Sequence, residues 1–138
     1  MKKLILVLTL LCLGFYAQAK NIHPILGSET DPEGSTSTYQ LSGYFPPENG
    51  IVDFSVMKKF GTPQEDPSHS GYGKILIATT DYSVNCKTKI YRAKRVSLIF
   101  PKDEIRILDV LKVSSPIDYN NAPSMMKKAV DIVCGQTK

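Results

Sequence analysis

Two thiols, Cys86 and Cys134, are the side chains of this 138-residue chain with the most definite chemistry. A cysteine pair in an oxidising compartment reads as a disulfide. Closing a loop of about 49 residues would stabilise the fold by roughly 4 kcal/mol on a chain-entropy argument. The alternative is two separate buried thiols. Metal ligation by thiolate is a poor fit if both sulfurs are bridged, and no metal or cofactor is expected.

The other reactive types are sparse. His23 and His69 are the two histidines. His23 lies in a polar N-terminal stretch and His69 in a Gly- and Pro-rich one, whereas zinc or haem needs ligands that converge from ordered positions. Ser68-His69-Ser70 places a hydroxyl beside a base, yet sequence neighbours on a loop do not make the geometry of nucleophilic catalysis. Asp103-Glu104 reads as a turn with no acid–base role. The chain has no G-x-S-x-G elbow, phosphate loop or metalloprotease motif, and its sequence points away from an enzyme. The densest charged stretch is basic: Lys87, Lys89, Arg92, Lys94 and Arg95, with Tyr82 and Tyr91 close by in sequence. These five are the candidate ligand-binding residues, suited to an acidic protein, glycan or headgroup. The plainer reading is a solvated face, or an edge strand whose lysines discourage aggregation.

The compartment follows from the first residues. Lys2-Lys3, the apolar run Leu4–Phe15 and Ala17-Gln18-Ala19 have the form of a secretory signal peptide over residues 1–19. The run is too short for a membrane span, so no transmembrane segment is expected after cleavage. Leu11 rather than a small residue precedes Cys12, which does not suit lipid attachment. A periplasmic or secreted protein is therefore expected ahead of an outer-membrane-anchored one. Without Lys2 and Lys3 the 17 basic residues become 15 against 13 acidic ones. That balance argues against nucleic acid as a partner. The charge is unevenly placed: residues 20–66 are acidic on balance and residues 67–138 basic.

The elements that must position these groups follow in order. Residues 20–38, rich in Gly, Ser, Thr and Glu, read as a flexible N-terminal segment, and residues 39–138 as a single domain. Tyr39–Tyr44 reads as a first strand, and Phe45–Gly50 as a turn ending in Asn-Gly. Ile51–Phe60 alternates, with Val52, Phe54 and Val56 on one side and Asp53 and Ser55 on the other. Gly61–Gly73 reads as a long exposed loop, a second candidate contact region. Lys74–Cys86 is a strand that carries Tyr82, Val84 and Cys86 on its apolar face. Ile90–Phe100 changes phase midway: Val96, Leu98 and Phe100 alternate, but Arg92 and Lys94 share their parity. A bulge or an exposed half would explain it. Glu104–Val113 is a further strand. Asn120–Cys134 is a helix, with Asn120 or Asn121 as its cap. Ala122, Met126, Ala129, Val130 and Val133 lie on one face, flanked by Met125 and Ile132. The class is α+β: a curved antiparallel β-sheet with a C-terminal helix packed on one face.

Tyr82-Ser83-Val84-Asn85-Cys86-Lys87, Tyr91-Arg92, Ser114-Ser115-Pro116, Tyr119 and the helix ending in Cys134 resemble the bacterial surface-adhesin protein E domain family, over roughly Ile51–Cys134. The resemblance implies a helix held to the sheet by a Cys86–Cys134 bridge. It also implies an exported binding module with host matrix or serum proteins as partners, haem as a possible ligand, and a dimer as a possible state. The chain lacks the family's lipid-attachment signal, and no binding residues carry over by position. The expectation is a non-enzymatic exported domain that binds a protein or acidic ligand. An alternative is an envelope inhibitor, of the lysozyme-inhibitor kind, that presents a loop to an active-site cleft.

Overall fold

The computed structural model describes residues 23–45, 47–65, 73–101, 105–109 and 114–135. The signal-like stretch 1–19, His69 with its flanking serines, and Asp103-Glu104 lie outside them. An antiparallel sheet takes its main strands in chain order: β1 (Ile25–Thr30), β2 (Thr36–Tyr44), β3 (Ile51–Gln64), β4 (Ile75–Asn85), β5 (Ile90–Ile99) and β6 (Ile105–Asp109). The short β7 (Ile117–Asp118) also pairs with β5. A 3-10 turn, Tyr119–Asn121, then leads into α1 (Ser124–Gly135). The sheet curls into a half-barrel, and α1 packs on one face.

The apolar alternation in β3 sets the inside of the curl. Val52, Phe54 and Val56 are buried, together with Leu41 from β2, Val84 from β4 and Tyr91 from β5. Phe54 stacks on Tyr82 at 5.4 Å between ring centroids, and Tyr82 meets Tyr91 edge-on at 5.9 Å. Against this surface α1 lays Ala122, Met126, Ala129, Val130 and Val133, with Met125 and Ile132 partly buried at the margins. Burial of each larger side chain is worth about 1.5–3 kcal/mol. A helix of 12 residues needs that surface, since it would be marginal alone. Cys86, just past β4, and Cys134, in the last turn of α1, form the disulfide, with Cα atoms 5.4 Å apart.

The helix start differs from the expectation. Asn120 and Asn121 belong to the 3-10 turn, where the Asp118 carboxylate accepts from the Asn120 N–H. α1 begins after Pro123, whose carbonyl accepts from Met126 and Lys127.

Two corrections concern chain expected to be irregular. Within the supposed flexible segment 20–38, Ile25–Thr30 is a strand and β2 starts at Thr36. Composition misleads here because β1 is an edge strand that buries only Leu26. Polar bonds hold the rest. Tyr39 Oη donates to Glu29 at 2.6 Å, and Lys58 Nζ to the same oxygen at 3.3 Å. The Tyr39 bond, then Lys58, draw the Glu29 pKa below its ordinary value. Lys128 of α1 donates to the Ile25 carbonyl, and Asp31 accepts from the Glu33 and Ser35 N–H groups to close the β1–β2 turn. The second correction is to the loop 61–73: Gly61–Gln64 continues β3, and residues 66–72 lie outside the described residues.

Candidate functional site

One side of the central strands carries the core, and the other carries no helix among the described residues. Strand register sorts the side chains of that open face into rungs across β3, β4 and β5. The first rung is Ile51–Asn85–Ile90, the second Asp53–Ser83–Arg92 and the third Ser55–Asp81–Arg95. The β2–β3 turn brings Phe45 to their margin. In that turn Asn49 and Gly50 both take positive φ, 53° and 78°. Glu48 and Ile51 exchange both of their backbone hydrogen bonds, as in a two-residue hairpin.

Two bulges flank the third rung. On β2 the register slips between Leu41 and Gly43; on β5 it slips opposite the Asp81/Tyr82 step, where Lys94 is the extra residue. The phase change in Ile90–Phe100 is therefore a bulge. It lets the successive residues Lys94 and Arg95 both reach the open face. Lys94 Nζ donates to Asp53 at 2.8 Å. Arg95 donates Nε and Nη2 to one oxygen of Asp81 at 2.9 and 2.8 Å, and the Ser55 hydroxyl donates to the other at 2.6 Å.

Shallow recesses run along this face. One, of about 560 Å³, lies among Phe45, Asp53, Ser55, Asp81, Lys94 and Arg95. A second, about 270 Å³, lies between Phe45 and Ile51, and a third, about 410 Å³, between Ile51, Ile90 and Arg92. Phe45, Ile51 and Ile90 are 63%, 44% and 40% exposed. Large apolar side chains grouped on an otherwise polar face favour a contact surface.

The five candidate cations separate. Lys94 and Arg95 are tied to carboxylates on the open face. Lys89 serves the helix instead: its Nζ lies 4.3 Å from the Tyr119 ring centroid and 3.1 Å from Asp131. Lys87 is exposed in the β4–β5 turn, where its N–H and that of Thr88 donate to Asn85 Oδ1. Arg92 stands on the open face with no ion pair among the described residues. The basic stretch is thus not one patch. Sequence reading missed Phe45, Ile51 and Ile90 as members of the face. The available signal was Ile51 itself, an apolar residue on the parity of Asp53 and Ser55.

Among the described residues no three His, Cys, Asp or Glu side chains gather in a way that could hold a metal ion. No helix among them is long and apolar enough to cross a membrane. What the face offers is recognition chemistry: apolar side chains beside ordered charges. Comparison with known families, curated proteins and solved structures returns no match.

Proposed function

We propose that this protein is a non-enzymatic exported binding domain of the surface-adhesin E type, and that it recognises a protein partner with the helix-free face of its sheet. The observation that carries this reading is the grouping of exposed Phe45, Ile51 and Ile90 with the Asp53–Lys94 and Asp81–Arg95 pairs, on the face opposite the one α1 covers. Interfaces of this kind combine apolar anchors with ordered charge. The Cys86–Cys134 bridge supports an oxidising compartment, as does the signal-like residues 1–19 reading. The motif resemblance supports an envelope or extracellular role.

The test is binding of the oxidised protein to immobilised host matrix proteins, with lysozyme inhibition assayed alongside. Wild type should bind a matrix protein, and Phe45→Asp should lose that binding while keeping its thermal unfolding. Binding that survives both Phe45→Asp and Ile51→Asp overturns the assignment of the face. Lysozyme inhibition without matrix binding favours an envelope inhibitor.

A further inference from the structure

We infer that the recess between Ile51, Ile90 and Arg92 is a carboxylate pocket that takes the free C-terminal carboxylate of an apolar residue on the partner. This inference rests on the partner-binding reading of the open face and names the chemistry of one part of it.

The lining consists of Ile51, Ser83, Asn85, Thr88, Ile90 and Arg92. No acid lines it. Asp53, the acid on Arg92's own rung, is held by Lys94 at 2.8 Å. The bulge at Lys94 therefore leaves the Arg92 guanidinium available as a donor. Asn85 uses Oδ1 to accept from Lys87 and Thr88, which directs its remaining side-chain function, the amide N–H groups, to other acceptors. The hydroxyls of Ser83 and Thr88 add two further donors. Such a set suits an acceptor-only group, and a guanidinium matches the planar fork of a carboxylate. A single cation in the recess fits a monoanion better than a phosphate dianion.

The two isoleucines decide the rest. Ile51 and Ile90 stand on either side of Asn85 in one rung, next to the rung of Arg92. The apolar and anionic demands of the recess thus fall within one residue's reach. A C-terminal leucine, isoleucine or phenylalanine carries both groups on one residue. An aspartate or glutamate side chain carries the carboxylate alone. The volume of about 410 Å³ accommodates one such residue.

The test is a methyl and amide NMR titration of the oxidised protein with N-acetyl-leucine, N-acetyl-leucine amide and N-acetyl-aspartic acid amide. N-acetyl-leucine should give saturable shifts at the Ile51 and Ile90 methyls and the Asn85 side-chain amide. Affinity should fall about tenfold or more for the leucine amide and for Arg92→Gln, and recover in part in Arg92→Lys, as for loss of a charge-assisted pair. Arg92 is exposed, so the variant spectra should otherwise match wild type. Equal binding of acid and amide, wild-type binding by Arg92→Gln, or no saturable shift overturns the pocket. Equal binding of the aspartate probe overturns the C-terminal assignment. If the pocket fails while Phe45→Asp still abolishes partner binding, only the carboxylate assignment falls. If Phe45→Asp and Ile51→Asp also leave binding intact, the reading of the whole face falls with it.

Discussion

Lys94 and Asp53 meet at 2.8 Å although a whole strand, β4, lies between them. The ladder sets Arg92, not Lys94, on the rung of Asp53. The bulge thus exchanges one cation for another at that carboxylate.

The contact and the bulge should both weigh little in stability, because the register on either side of Lys94 does not depend on it. Lys94 and Asp53 are 39% and 43% exposed, and pairs this open contribute about 0–1 kcal/mol. Lys94→Ala should therefore shift the urea midpoint only slightly. Deleting Lys94, the extra residue, would give β5 plain alternation with Tyr91 still opposite Val84 and Leu98 opposite Ala78, so it too should cost only about 1 kcal/mol. Urea unfolding of the two variants checks this; a far lower midpoint for the deletion would mean that the bulge itself holds the strand in place.

The disulfide should matter more than any surface pair. Cys134→Ala, or reduction of the wild type, should cost roughly 4 kcal/mol and loosen α1 first. Thermal unfolding with and without reductant measures the loss. Hydrogen exchange across residues 124–135 should report the loosened helix. Equal melting temperatures in both conditions would contradict this.

How far these features were legible depends on whether a signal was local. The face of α1 that carries Met126, Ala129, Val130 and Val133 was legible, because helical periodicity is read within a dozen residues. So was the inward set of Val52, Phe54 and Val56. Asn49-Gly50 marked its hairpin, because few residue types tolerate two positive φ values in succession. β1 was not legible, since an edge strand that buries one residue has the composition of a tail. The extension of β3 through Pro63 was hidden by a residue that normally argues against a strand. At the candidate site, the cations were visible, but their acids lie 41 and 14 residues away, at Asp53 and Asp81. No local pattern encodes a pairing set by strand register and one inserted residue.

Two glycines on β2 and β3 should respond oppositely to alanine. A Cβ on Gly61 would collide with the Thr36 carbonyl and the Ser35 hydroxyl. Gly61→Ala should cost about 1–3 kcal/mol as a local overpacking. A Cβ on Gly43 meets nothing nearby, and Gly43→Ala should be neutral or slightly stabilising. Chemical denaturation of the pair decides it; equal effects would contradict the close approach.

Asp131 gives stability a pH dependence with a definite sign. The Tyr119 hydroxyl donates to it at 2.8 Å and Lys89 at 3.1 Å. The Tyr119 bond first, then Lys89, hold its carboxyl below the ordinary 3.8. The folded-state pKa is thus below the unfolded one. The contribution is complete above the unfolded value and disappears as pH falls through the folded value. Wild type should exceed Asp131→Asn in urea midpoint near about pH 5, and the gap should close towards about pH 2. A gap that stays constant over that range would remove Asp131 from the account.

The bridge between Cys86 and Cys134 also fixes how the chain would behave under load. Its ends lie 48 positions apart in sequence, so β5, β6, β7 and most of α1 form a covalent ring. Pulled from its two termini, the unfolded chain would lengthen only by the segments outside that ring. Roughly 160–170 Å of extension would stay locked until a reductant opened the sulfur bond.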